Sequence, residues 1–240
     1  MRIYKHTEET ASTNTELKNE IYSSPVPVYT VLSADRQTAG RGRLGRSFYS
    51  PSGGLYFSAA LPIPPEFDNI PFITLLSGLA AAEAVEELSG ARVLIKWPND
   101  LYINGKKAGG ILCELVSGCQ LTAVIGMGIN LTLPPEDIPG ELKGKMTSLK
   151  AENAVITDKT ELMMKITAAI DKMTEERDFF SYLAKINARL FSVGKSVKYH
   201  SPGGEIKGVF TGIFPDGAAE ITDENGKKHK AVSGEIVFTD

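Results

Sequence analysis

Residues 40 to 47 read GRGRLGRS, three arginines threaded among three glycines. Such a stretch suits an anion, because guanidinium groups hold phosphate or carboxylate bidentately and glycine lets the backbone approach closely. Gly40, Gly42 and Gly45 fit the dinucleotide pattern G-x-G-x-x-G, and Gly40 to Ser47 fits the P-loop except that Arg46 replaces lysine. Both patterns need a helix directly after the glycines, whose amides hold the phosphate. Here SFYSPSGGLYFS follows; Pro51, Gly53 and Gly54 preclude a helix start, and the next regular element reads as a strand. No acidic residue stands about 20 positions on to meet a ribose. Neither nucleotide motif holds, so any anion preference must come from the arginine side chains. The bland alternative is a solvated loop whose arginines face water.

A second candidate is KWPNDLYINGKKAGGILCEL, residues 96–115. Strand alternation puts Lys107 on one face with Gly109 and Ile111, and a lysine beside side-chain-free positions can lie over a ligand. Lys106 reads as its surface neighbour. Trp97 reads as core, and Asp100 either as an Asx residue stabilising the turn or as a ligand-facing carboxylate. His6, His200 and His229 are scattered and suggest no general base.

These residues need elements to position them. A short helix is predicted over 12–24 behind a Ser/Thr/Asn cap, with Leu17 and Ile21 on one face. Residues 28–34 form a β-rich run leading into the glycine-arginine loop, and 55–62 continue as a strand. The clearest helix spans 70–89, closed by Gly90. Residues 92–97 form a strand, PND a turn, and Asn104-Gly105 a type I′ hairpin turn. Residues 120–131 make a long strand interrupted by glycines. After a Pro/Gly/Lys-rich loop, a helix starts at an Asp158/Glu161 capping box, and a second helical stretch runs to about Phe191. From Ser192 short alternating strands with frequent glycine suggest a small β-barrel appended to an α+β domain.

The chain has 240 residues, 42% hydrophobic and 23% charged, enough for one good core and a small second domain. The net charge of −3 gives no bulk attraction to nucleic acid. Between Asp35 and Glu66, however, there is no carboxylate, while Arg36, Arg41, Arg43 and Arg46 all fall there. An acidic protein with one cationic loop suggests a small-anion site. No run approaches the roughly 20 apolar residues that cross a bilayer, and MRIYKHTEET lacks the apolar core of a signal peptide. Cys113 and Cys119 match no metal spacing and read as free thiols in a reducing cytoplasm.

Taken together, the two clusters resemble the biotin protein ligase family. The matching pieces are STN at 12–14, Q-x-A-G-R-G-R-x-G from Gln37 to Gly45, KWPND at 96–100, the K-x-G-GIL spacing after Lys107, G-x-GIN at 126–130 and GEI at 234–236. They occur in the expected order over essentially the whole chain. Two features depart: Phe48 stands where the family often has a tryptophan on the adenine, and Ala108-Gly109-Gly110 carries an additional glycine. The resemblance implies an α+β fold, with a mixed-sheet catalytic domain of the biotin/lipoate ligase type over 1–191 and a small C-terminal SH3-like β-barrel over 192–240. It also implies a two-step reaction: biotin carboxylate attacks the α-phosphate of ATP, giving biotinyl-5′-AMP, and a carrier-protein lysine then displaces AMP.

By the same resemblance Arg41 and Arg43 clamp carboxylate and α-phosphate, Gly40 and Gly42 let the loop fold over the adenylate, and Lys107 bridges the reacting oxygens beside Gly110. Ser12, Thr13, Asn14 and Gln37 bind biotin, Phe48 stacks on adenine, Asn130 contacts adenine or ribose, and Asp100 ligates Mg²⁺ or orients Lys107. The implied partner is the biotin carboxyl carrier protein of acetyl-CoA carboxylase or a related biotin carboxylase, in the cytoplasm, without membrane or DNA. With some eleven residues before STN, the DNA-binding winged helix of bifunctional members is not expected. Related ligases are often dimeric through a sheet edge, so a homodimer is one expected assembly. Two other readings stand beside this one: a lipoate ligase or related acyltransferase, and a non-catalytic biotin or nucleotide sensor.

Overall fold

The computed structural model describes residues 2–23, 30–63, 70–117, 120–201, 204–234 and 236–239. The first sheet has seven strands: β1 (Ile3–Thr10), β2 (Thr30–Gln37), β3 (Gly54–Pro62), β4 (Leu94–Lys96), β5 (Asp100–Ile103), β6 (Lys106–Ser117) and β7 (Leu121–Asn130). Their spatial order is β1-β2-β3-β7-β6-β5-β4. The β1–β2 pair is parallel and every other pair antiparallel, so the sheet is mixed, as expected.

Helices cover both faces. On one side lie α2 (Ile70–Ser89) and α3 (Lys159–Glu176), with α4 (Phe179–Asn187) beside α2. α2 is apolar nearly all round, and its Gly78 brings the helix onto Ile95 and Ile111. Gly90 closes it with φ +73, and Asp158 caps α3 by accepting from the amides of Thr160 and Glu161. Among the described residues the opposite face carries one helix, α1 (Thr13–Ser23), whose Leu17 and Ile21 pack on Ala60, Val116 and Val124. Because one short helix cannot cover that face, the rest of it is left for a ligand.

Five further strands follow: β8 (Ser196–Ser201), β9 (Gly204–Ile213), β10 (Ala219–Thr222), β11 (Lys228–Ala231) and β12 (Ile236–Phe238). They form an antiparallel sheet in the order β11-β10-β9-β8-β12. The expected barrel is therefore corrected to an open sheet: β11 and β12, at its two edges, do not pair with each other among the described residues, being only four and three residues long. The sheet is keyed to the layer of the first sheet by the Trp97 indole, which donates to the Gly217 carbonyl at 2.9 Å. Trp97 is core, as read from sequence.

Three local expectations change. β1, with its mostly polar, exposed residues, shows no strand alternation in sequence, yet it pairs with β2 along its length. The strand expected over 92–97 contracts to β4, and the helical stretch expected to Phe191 ends at Asn187. Asn104 and Gly105 both take positive φ, as a type I′ turn demands. Cys113 is a free thiol packed against the core; burial pushes its pKa up to about 12. Cys119 and residues 24, 28 and 29 of the expected elements lie outside the described residues.

Candidate functional site

The open face of the first sheet is built from alternate residues. Ser58 on β3, Gly126 on β7 and Glu114 on β6 point toward α1, while Gly128 on β7 and Gly110 on β6 face the Phe48 ring beside it. Two of the glycines are direct partners, Gly110 opposite Gly128. The Phe48 ring lies across both: a Cβ on Gly128 would come within 2.4 Å of its Cε1, and one on Gly110 within 3.2 Å of its Cε2. The aromatic ring thus occupies space that any larger residue would take. Gly126 is covered instead by the Asn14 amide, 2.0 Å from where a Cβ would sit.

Lys107 reaches this face by a route that alternation does not give. Tyr102 pairs with Lys107 and Leu101 with Gly109, leaving Ala108 as an extra residue on β6. This bulge buries Ala108 in the core and turns Lys107 to the side of Gly110, whose Cβ position lies 3.5 Å from Lys107 Cε. The expectation that Lys107 shares a face with Gly109 and Ile111 is therefore corrected; Ile111 faces Gly78 of α2. The backbone of Lys107 is gripped by the segment 145–147, its N–H donating to Lys145 O and its carbonyl accepting from Thr147 N, each at 2.9 Å. Its ammonium pairs with Asp100 at 2.7 Å and stands 5.9 Å from the centre of the Phe48 ring.

The GRGR segment forms a two-stranded arm between β2 and β3. Phe48 N donates to Gly40 O at 2.8 Å and Gly42 N to Arg46 O at 2.7 Å, with a tight turn over Arg43–Gly45 at the tip. The three glycines serve different ends. A Cβ on Gly40 would strike Phe48 O at 2.5 Å, so this position is needed for close approach rather than as a hinge. Gly45 supplies positive φ at the tip, next to Leu44, which is 75% exposed and also at positive φ. The arm rests on the PND turn, where Arg43 Nη1 donates to Asn99 Oδ1 at 3.4 Å. Asn99 in turn holds β6, its Nδ2 donating to Ile111 O and its O accepting from Ile111 N. Asn99 and Ser58 had no role assigned from sequence, because nothing local distinguishes a keystone asparagine from a turn asparagine.

Ser12, Thr13, Asn14, Gln37, Arg41, Gly42, Arg43, Phe48, Asp100, Lys107 and Gly110 all border one pocket. Gly40 lies behind it, under Phe48. Asn130 does not line it: 2% exposed, it donates from Nδ2 to Thr147 O at 2.9 Å, and its buried Oδ1 has no partner. Arg46 and Ser47, the residues that imitate a P-loop, border the pocket too, as do Gly234, in the bend before β12, and Ile236 of β12.

The pocket has two chemically different ends. One is neutral: Thr13 N donates to Gln37 Oε1 at 2.9 Å, Gln37 Nε2 to Ser50 Oγ at 3.0 Å, and Thr13 Oγ1 meets Ser58 Oγ at 2.7 Å. The rest of the lining is cationic, with Arg41, Arg43, Arg46, Lys96 and Lys107 and one carboxylate, Asp100, which pairs with Lys107. Behind Asn14, Glu114 pairs with Lys18 at 2.7 Å. Burial opposes the charge of Glu114, but hydrogen bonds from Lys18 and Asn14, and then the charges of Lys18 and Arg41, hold its pKa below the ordinary value. Lys106, half-exposed, pairs with Glu152 rather than with the pocket. Among the described residues no cluster of His, Cys, Asp or Glu is arranged to hold a metal.

This architecture has known counterparts. The biotin protein ligase from Aquifex aeolicus, in complex with biotin and ATP, superposes with a TM-score of 0.86 at 35% identity, covering 100% of this chain and 99% of that one. The chain is 31% identical over 233 residues to the bifunctional ligase/repressor BirA of Bacillus subtilis, covering 94% of this chain and 71% of that protein. It is 30% identical over 207 residues to the biotin--[acetyl-CoA-carboxylase] ligase of Paracoccus denitrificans, with 81% and 85% covered. The model of the biotin/lipoate A/B protein ligase family matches residues 7–130, and with the mixed sheet, the arginine arm and the lysine over paired glycines in place, the chain belongs to that family.

Proposed function

We propose that this chain is an ATP-dependent biotin protein ligase, which activates biotin as biotinyl-5′-AMP and transfers it to a lysine of biotin carboxyl carrier protein. The observation that carries this reading is the two-ended pocket: a neutral, hydrogen-bonding end at Thr13, Asn14 and Gln37, joined to a cationic end at Arg41, Arg43 and Lys107. A small acid with a polar head and a carboxylate tail, meeting a nucleotide phosphate, fits that polarity.

The first step sets a carboxylate against a phosphate, so its barrier is largely electrostatic and cations fixed beforehand lower it. Arg41 and Arg43 hold the two anions, and Lys107 stands as a point charge between them, its ammonium positioned by Asp100. Phe48 offers a stacking face for adenine, seated by the bare backbone of Gly110 and Gly128. No proton has to be removed from biotin, so a pocket without histidine among its described residues can carry out this step. In the second step the acceptor amine attacks the carbonyl carbon of the mixed anhydride, the C–O bond to the phosphate breaks and AMP leaves, and the amine's proton goes to Asp100 or to the departing phosphate. Asp100 is the pocket carboxylate available to Mg²⁺, a hard cation that in such sites takes one or two carboxylates along with nucleotide phosphates.

We take 1–191 as the catalytic unit and the segment from 192, which becomes β8 at Ser196, as a second unit that closes the pocket through Gly234 and Ile236. A homodimer would use the edge strand β1. We assign the reaction to the cytoplasm, a compartment that supplies ATP; no helix among the described residues is long and apolar enough to cross a membrane. The test is incubation with ATP, Mg²⁺ and either labelled biotin or labelled lipoate. Pyrophosphate release and carrier labelling with biotin are expected; turnover with lipoate alone, or with neither, rejects the reading.

A further inference from the structure

We propose that Glu114 is a positioning residue for specificity, setting the donor and acceptor pattern that the neutral end of the pocket shows to its ligand. The inference rests on reading that end as the biotin subsite. Glu114 does not border the pocket; it acts through Asn14.

A carboxylate carries no hydrogen, so it dictates the orientation of whatever meets it. Glu114 Oε1 takes the Lys18 ammonium at 2.7 Å, and Oε2 takes Asn14 Nδ2 at 3.0 Å. Asn14 must therefore turn its NH₂ toward β6, where it also donates to Leu112 O at 3.2 Å. Its carbonyl is left facing Ser58, so the Ser58 hydroxyl has to donate to it. With that hydrogen committed, Ser58 accepts from Thr13 Oγ1 at 2.7 Å; the same hydroxyl also faces Gln37 Oε1 at 3.2 Å, so its single hydrogen is shared between them and its oxygen is left to accept. From the other side, Thr13 N–H fixes Gln37 Oε1, so Gln37 turns its NH₂ outward, one hydrogen to Ser50 and one remaining. The pocket thus offers a hydroxyl acceptor beside an amide donor, the complement of a cyclic urea with its N–H groups and carbonyl.

Glu114 and Lys18 keep 31% and 20% of their side chains exposed, but the groups they direct are buried, with Asn14 4%, Thr13 3% and Ser58 0% exposed, so a wrong orientation of those three has no water to relieve it. Glu114→Gln keeps the shape but removes the instruction. Lys18 attracts the new amide's oxygen, which turns its NH₂ toward the NH₂ of Asn14. Asn14 must then flip, losing Leu112 O and reversing Ser58 and Thr13. Adding Lys18→Met removes the competing ammonium and lets the oxygen of the substituted side chain face Asn14 again.

The full-length chain is used for calorimetric titration with biotin and for steady-state pyrophosphate release, each variant being checked for an intact melting transition. Glu114→Gln should raise the Kd and KM for biotin about tenfold, the size of one misdirected buried hydrogen bond, and leave kcat within about twofold. The double variant Lys18→Met/Glu114→Gln should return both constants to within about threefold of the parent, although it has still lost the ion pair. Unchanged biotin affinity in Glu114→Gln, or a double variant as weak as the single one, overturns the proposal, since a purely structural ion pair would not be rescued by removing its second half. A parent chain that fails to bind biotin at all rejects instead the functional reading beneath it.

Discussion

Lys107 and Phe48 illustrate how much chemistry depends on single positions beside them. The ammonium is useful only because the Ala108 bulge turns it to the ligand face and Asp100 holds it there. Lys107→Ala should therefore bind biotin with little change but form the adenylate roughly 10²–10³-fold more slowly, read as single-turnover pyrophosphate release; an unaltered rate would refute its role. Phe48 depends on a missing atom. In Gly128→Ala the new methyl would meet the ring at 2.4 Å. The ring must move, so the KM for ATP should rise about tenfold or more, in line with the loss of one base–aromatic stack, while biotin affinity measured without ATP stays near the parent value.

At the scale of elements, the GRGR arm is held to the rest of the chain mainly at its base and at Asn99, and its tip carries an exposed leucine at positive φ. Few buried contacts make such a segment cheap to open locally. Trypsin should cut preferentially after Arg41, Arg43 or Arg46, and biotin with ATP together should slow that cleavage several-fold by bridging the arm to Lys107; equal cleavage with and without ligands would show that the arm does not fold over them. The arm's composition announced its chemistry, and SFYSPSGG after it excluded a helix. The docking of its arginine on Asn99, fifty-six residues away, had no local signal.

Across the whole molecule, carboxylates tie distant segments together. Glu152 accepts from Asn104, Thr147 and Lys106, joining the hairpin turn to the loop that grips Lys107; the Asn104 bond is the largest influence holding its pKa below the ordinary value. Asp35 is held low chiefly by the Lys159 hydrogen bond between β2 and α3, and Asp223 chiefly by His229 within the second sheet. For each, the folded pKa lies below the unfolded one. Their stabilisation is complete above the unfolded carboxylate value of about 4 and is lost as pH falls through the folded values, because the unfolded chain then binds more protons. Denaturant midpoints should fall steeply below pH 4, and Glu152→Gln should flatten part of that decline; an identical acid limb would remove Glu152 from the account.

The chain's sequence by itself determined the elements and the chemical inventory. Apolar periodicity marked α2, Asp158 marked the start of α3, Asn104-Gly105 marked the hairpin, and the arginine-glycine segment with KWPND marked an anion site. These are local preferences of backbone and side chain, so they survive without knowledge of the fold. Tertiary structure alone decided which face Lys107 serves, because a bulge reverses the alternation that sequence assumes. It decided that Asn130 anchors Thr147 instead of lining the pocket, that β1 is a strand, and that the last strands remain an open sheet. Above all, it decided that Glu114 stands behind Asn14, one hundred residues apart, since pairing of that range depends on strand register and burial, which no local pattern carries.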